Sequence, residues 1–203
     1  MAKKEDPLLG CIPRPEQRPS PYVATPTASF VGSFIGLGGL VVIQWALRKL
    51  DYFPDPLLAI GSFAALATLL YAAPAAPLGK PYNMFYGHFL SIVVAIVLHK
   101  LGELAALPNG LLLALTPSLA IAVMVHQKVP HPPAAACAFI FEAYANEHEQ
   151  RLGGIAYLLA PGLIGCAYML AVQAVVHYGA DALYAYVQKR EAERAQGDNQ
   201  DML

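Results

Sequence analysis

Five stretches of the chain, 24–47, 56–79, 81–99, 104–127 and 152–180, contain no lysine, arginine, aspartate or glutamate. Each can hold the roughly 20 apolar residues that a membrane-crossing helix needs. Apolar positions within them run nearly continuously, which leaves too few amphipathic segments to shield such helices in a water-soluble core. The pattern predicts an all-α membrane protein, a bundle of five spanning helices at about 29–47, 56–73, 83–98, 109–125 and 155–177. A sixth apolar stretch, 132–143, is short for a crossing and predicts a half-helix or re-entrant segment.

Polar punctuation divides this core from its flanks. Residues 1–28 form a proline-rich arm with acidic Glu5, Asp6 and Glu16 and no apolar run behind its lysines, which argues against a secretory signal or transit peptide. Residues 29–179 form the transmembrane part, and 180–203 a polar C-terminal tail. In the first helix Gly32 and Gly36 have the spacing that lets helices approach closely, within the chain or between two copies in a homo-oligomer. Pro74, Pro77 and Pro81 disfavour helix in the next loop, and Asn83 is expected to cap the third helix. Pro117 is expected to kink the fourth helix and Pro161-Gly162 to bend or unwind the last.

Composition agrees with lipid as the main solvent: 57% of residues are hydrophobic and 13% charged, with mean hydropathy +0.46. The net charge of −1 and the scattered basic residues leave no electrostatic footprint for nucleic acid. Cys11, Cys137 and Cys166 form no CxxC pair and say little about redox compartment. No enzyme signature is present, neither HExxH, nucleophile elbow nor phosphate loop, and no cofactor or metal is called for.

The most informative stretch is KVPHPPAAACAF, 128–139. Proline lacks an N–H and has its φ set near the helical value, so Pro132 and Pro133 read as the first turn of a helix. Ala134 and Ala135 then leave the following amides uncovered, a possible anion seat backed by the helix dipole. Two crossings separate this start from that of the third helix, so both point inward from one membrane face. Lys80 and Lys128 stand near the two starts, and His88 and His131 at or just inside them, so the two starts can converge on one anion. Asn83, Gly87, His88 and His131 to Ala135 are the candidate binding residues. Glu142, at the far end of the short segment, is either a proton-coupling carboxylate or, preferably, an interfacial residue. If 132–143 crosses, one face carries the N-terminal arm, Lys80, Lys128 and the basic tail, and the other Arg48, Lys49, Lys100 and Arg151, which favours both termini in the cytosol or its equivalent.

At these residues the chain resembles the HPP family of small integral membrane proteins, named for the motif seen here as His131-Pro132-Pro133-Ala134. The stretch IGSFAALATLLYAAPAAPLGKPYNMFYGHFLS is similar to the family's second and third helices, matching at Ser62, Phe63, Pro77, Leu78, Pro81, Asn83, Gly87 and His88. It departs at Ala64 and Tyr86, where glycine is usual, at Lys80 for glutamine and Tyr82 for arginine, and at Ala135, where glycine usually follows the motif. The resemblance covers roughly 29–176 apart from the polar YANEHEQR insertion. Because plant and cyanobacterial relatives are associated with nitrite transport, it implies a transporter or permease for a small anion, nitrite being the best single guess. It leaves plasma membrane and chloroplast-type membrane both open.

Two other functions fit parts of the sequence. Histidines on neighbouring helices, His88 with His177 or His99 with His126, suit a haem-binding electron-transfer protein. The glycine-rich first helix and the missing arginine suit a structural membrane subunit without a ligand.

Overall fold

A computed structural model describes residues 24–49, 58–148 and 154–200. The chain divides into two units, 24–176 and a second made of 1–23 with 177–203. The expected N-terminal arm lies largely outside the described residues, as does Arg151. Of the second unit the described part is helical from His177 to Gln200, with an exposed polar run in which Arg190 Nε donates to Tyr186 Oη.

The first unit is a helical bundle. Helix α1, Pro26–Arg48, begins three residues earlier than expected, because Thr25 accepts the Ala28 N–H and Pro26 fills the first turn. At its other end Lys49 Nζ sits 3.7 Å over the Trp45 ring, a pairing suited to a membrane–water interface. Helix α2, Gly61–Ala72, widens into π-type turns over Thr68–Ala72 and stops before Pro74. Helices α3, Pro81–Leu104, and α4, Asn109–His126, form an antiparallel hairpin, and α4 runs through Pro117 without a break. Helix α5 is Pro132–His148. Helix α6 begins as Ile155–Tyr157, opens into wide π-type turns over Leu158–Gly165 where Pro161 removes a donor, and continues as Cys166–Gln200.

Among the described residues four helices are long and apolar enough to cross a membrane: Pro26–Arg48, Pro81–Leu104, Asn109–His126 and Ile155–Arg190. The expected fifth crossing, 56–73, is not among them, since α2 has twelve residues, about 18 Å at 1.5 Å each, against a hydrocarbon core of about 30 Å. The cause is local. Gln44 Oε1 accepts the N–H groups of both Leu58 and Ala59, each at 2.8 Å, so the chain ahead of α2 is bonded to α1 instead of continuing the helix.

Large apolar side chains point outward, among them Phe30, Phe34, Val42, Val97, Ile121 and Val125, as lipid-facing surfaces require. Inside, Leu40, Phe63, Leu66, Tyr71, Ile92, Ala138 and Met169 form the core. Gly32 and Gly36 both face it. A Cβ at Gly32 would meet the Tyr71 ring at 2.6 Å, and one at Gly36 would meet Met169 Sδ at 3.1 Å. The close approach at these two glycines is therefore made within the chain.

Helices α3 and α4 end alike. Leu107 N donates to Gly102 O and Ala106 N to Glu103 O; Val129 N donates to Met124 O and Lys128 N to Val125 O. Each closure needs one left-handed residue, and here Ala106 (φ 52°) and Lys128 (φ 59°) fill a place usually held by glycine.

Candidate functional site

Helices α3 and α5 run parallel in a fixed register. The His88 and His131 rings are neighbours, Ser91 Oγ donates to Ala134 O at 2.6 Å, and His99 Nδ1 meets Glu142 Oε2 at 2.9 Å, each pair 43 places apart. In that register Pro132 stands level with Phe89, eight residues or about 12 Å inside the start of α3, while His148 is level with Ala105. The HPP start is thus recessed into the bundle. The helix behind it is longer than 132–143 and follows α3 to its far end.

His88 and His131 meet at this recessed start, with ring centroids 5.1 Å apart. Both are shut off from solvent, at 0% and 1% exposure, and Phe63 of α2 stacks on the other side of His88 at 5.8 Å. Gly87 makes the approach possible, since a Cβ there would lie 2.7 Å from His131 Cβ. His88 Nδ1 is 2.9 Å from Met84 O, and His131 Nδ1 is 2.7 Å from Leu78 O in the loop before α3. A carbonyl only accepts, so in both rings Nδ1 carries the proton. The two Nε2 atoms are buried without a hydrogen-bond partner. Leaving such a group unsatisfied costs about 1–3 kcal/mol each.

Other expected residues play different parts. Asn83 does not cap α3: the helix begins at Pro81 with Lys80 at the cap position, and Asn83 Nδ2 instead donates to Pro77 O at 3.2 Å, holding the loop that presents Leu78. The amide seat after Pro133 is also smaller than expected. Pro132 and Pro133 have no N–H, and Ala134 N already donates to His131 O at 3.0 Å. Ala134 and Ala135 are buried beside Met124, whereas Lys80 and Lys128 are exposed outside the two starts.

A second polar layer lies eleven residues further along both helices, about 16 Å away. Glu142 is not interfacial: its side chain is only 3% exposed, with Thr116 Oγ1 of α4 donating to Oε1 at 2.8 Å and His99 Nδ1 on Oε2. The buried Ala95 and Ala138 lie between the layers. Sequence reasoning considered His99 only as a partner of His126 and passed over Thr116. The signal available was the shared spacing, His88 to His99 and His131 to Glu142.

The haem pairs do not gain from this geometry. Gly102 packs on Leu112 and Gly87 on Met124, so the hairpin is antiparallel and His99 and His126 lie towards opposite ends of it. His177 belongs to the other unit. Among the described residues no group of three or more His, Cys, Asp or Glu is placed to hold a metal.

The chain is 32% identical over 149 residues to a transmembrane protein of Dictyostelium discoideum, covering 73% of this chain and 46% of the relative. A second transmembrane protein of that organism is 34% identical over 149 residues, 73% of this chain and 50% of the relative. The chain thus spans about half the length of the curated relatives it matches. No solved structure matches. Residues 18–189 match the model of the HPP transmembrane region, and the chain belongs to the HPP family of membrane proteins.

Proposed function

We propose that this protein is a transporter or permease for a small monovalent anion, with nitrite the best candidate, held between His88 and His131 at the recessed start of α5. The observation that carries this reading is the pair of fully buried imidazoles whose Nε2 atoms have no partner. Two such atoms on neighbouring rings support a shared ligand, and the positive end of the α5 dipole favours negative charge.

Geometry also sets the form of binding. With Nδ1–H fixed on a carbonyl, each neutral ring offers only a lone pair at Nε2, which repels an anion. An anion is held once one Nε2 takes a proton, so ion and proton enter together and no net charge is buried. Lys80 and Lys128 gather anions at the mouth, and the closed site passes them by a conformational step. Affinity is accordingly expected to rise as pH falls, by up to about tenfold per pH unit.

The test is exchange of nitrite, nitrate, chloride and acetate across liposomes holding purified protein, with empty liposomes subtracted. His131→Ala and His88→Ala are expected to lose about ten- to a hundredfold for the preferred anion, as removal of a charge-assisted hydrogen bond implies. Ala135→Leu does similar harm by filling the helix start. Wild-type protein that exchanges none of these anions contradicts the reading.

A further inference from the structure

We infer that Glu142, His99 and Thr116 form a proton-binding site in the second polar layer, with Glu103 as its outlet to the membrane face opposite the HPP start. Its geometry stands by itself; its coupling to an anion rests on the transport reading above.

Helices α3, α4 and α5 each contribute one residue. Glu142 accepts from Thr116 at Oε1 and is bonded to His99 at Oε2, while its side chain and that of His99 are 3% and 6% exposed. A carboxylate so deep in a bundle of apolar helices is expensive unless it is paired or protonated. The pair is not sealed off. His99 Nε2 is 3.8 Å from Glu103 Oε1, one turn further along α3, and the Glu103 side chain is 51% exposed. Lys100 Nζ holds the other Glu103 oxygen at 3.1 Å. Phe141 packs edge-on against His99, with Tyr157 edge-on to Phe141 in turn, and closes the remaining side. Around this pair stand Glu103 and Lys100 of α3 and the Thr116 hydroxyl of α4.

This order of groups conducts a proton without moving a helix. A proton from water passes through Glu103 to His99 Nε2 by a small swing of the exposed carboxylate or one bridging water. The imidazolium then gives its Nδ1 proton to Glu142 Oε2, leaving a neutral acid and a neutral ring protonated at Nε2. One proton has been gained, no other bond has changed, and the layer has gone from a net charge of −1 to zero. Reversal returns the proton to the same face. A pure interhelical tie needs neither the Glu103 outlet nor a histidine with a nitrogen towards each carboxylate.

Two measurements test the proposal on the intact protein. Infrared spectra in nanodiscs are expected to show a carboxylic-acid band that grows as the buffer is acidified, is absent in Glu142→Gln, and is displaced in Thr116→Val, which keeps the side-chain volume. After a rapid acid jump, the rise of that band is expected to be slowed severalfold in Glu103→Gln, which removes the outlet carboxylate. The proposal is overturned if Glu142→Gln has the wild-type infrared titration, or if Glu103→Gln follows the acid jump as fast as wild type. Where Glu142→Gln does not fold, an unshifted band in Thr116→Val overturns it. Absence of nitrite exchange in wild type sinks the transport reading instead and leaves the proton site to be judged on the infrared band.

Discussion

Gly87→Ala is the substitution on which the candidate site depends most sharply. The new Cβ would stand 2.7 Å from His131 Cβ and 3.5 Å from Met124 Sδ. Methionine can swing away, but a Cβ moves only with its backbone. Carbon atoms pack at about 3.5–4.0 Å, so α3 and α5 must separate by roughly 0.8 Å or more at this level. Overpacking of this kind costs about 1–3 kcal/mol, and replacing a mid-helix glycine by alanine returns up to about 1 kcal/mol. The variant should therefore fold, with stability lowered by about 0–2 kcal/mol in thermal unfolding in detergent. Function should suffer far more. The bond from His131 Nδ1 to Leu78 O is 2.7 Å long, and a shift of roughly 0.8 Å carries it past the about 3.2 Å limit of a good hydrogen bond. Misplacing a binding group by about 1 Å can cost on the order of a hundredfold, so anion exchange is expected to fall at least tenfold. Wild-type exchange by a folded Gly87→Ala protein would refute the idea that this contact sets the site.

Three further expectations concern stability, each read by thermal unfolding in detergent. Ala106→Gly should stabilise by about 0.5–1 kcal/mol, because it removes a Cβ from a residue held at φ 52°; a loss would show that this end of α3 is not strained. Gly32→Ala should destabilise more than Gly36→Ala, since the first strikes the ring of the buried Tyr71 at 2.6 Å and the second meets Met169 Sδ and Tyr71 Oη at 3.1 Å; equal effects would contradict the packing described. Gln44→Ala leaves the Leu58 and Ala59 amides without their acceptor and should cost about 1–3 kcal/mol, so an unchanged midpoint would mean the loop before α2 is held by other means.

What could be read from the sequence follows from how far each signal is local. Charge-free runs of helix length exposed α1, α3, α4 and α6 directly, since a lipid-facing helix must be apolar all round. Pro132-Pro133 marked the start of α5 correctly because proline tolerates little else than a first turn. The stretch 56–73 gives a shorter helix than its apolarity suggests, because apolarity does not reveal that Gln44, far away in α1, satisfies the backbone at Leu58 and Ala59. Asn83 was a plausible cap by residue type, yet the loop carbonyl of Pro77 took its amide. The convergence of His88 with His131 followed from counting crossings, whereas the depth of Glu142 did not, since it depends on the 43-residue register between α3 and α5. That register was latent in two equal spacings of eleven residues, which gain meaning only when the helices are known to be parallel.

The most direct test of the central claim is nitrogen NMR of protein labelled at histidine and held in nanodiscs, titrated with nitrite. The rings of His88 and His131, assigned by single substitution, should show protonated Nδ1 and bare Nε2 before addition. On binding, at least one Nε2 should shift to the protonated form, while the exposed His126 does not change. A titration that leaves both rings unaltered at nitrite concentrations supporting exchange, or that moves His126 instead, would contradict the account.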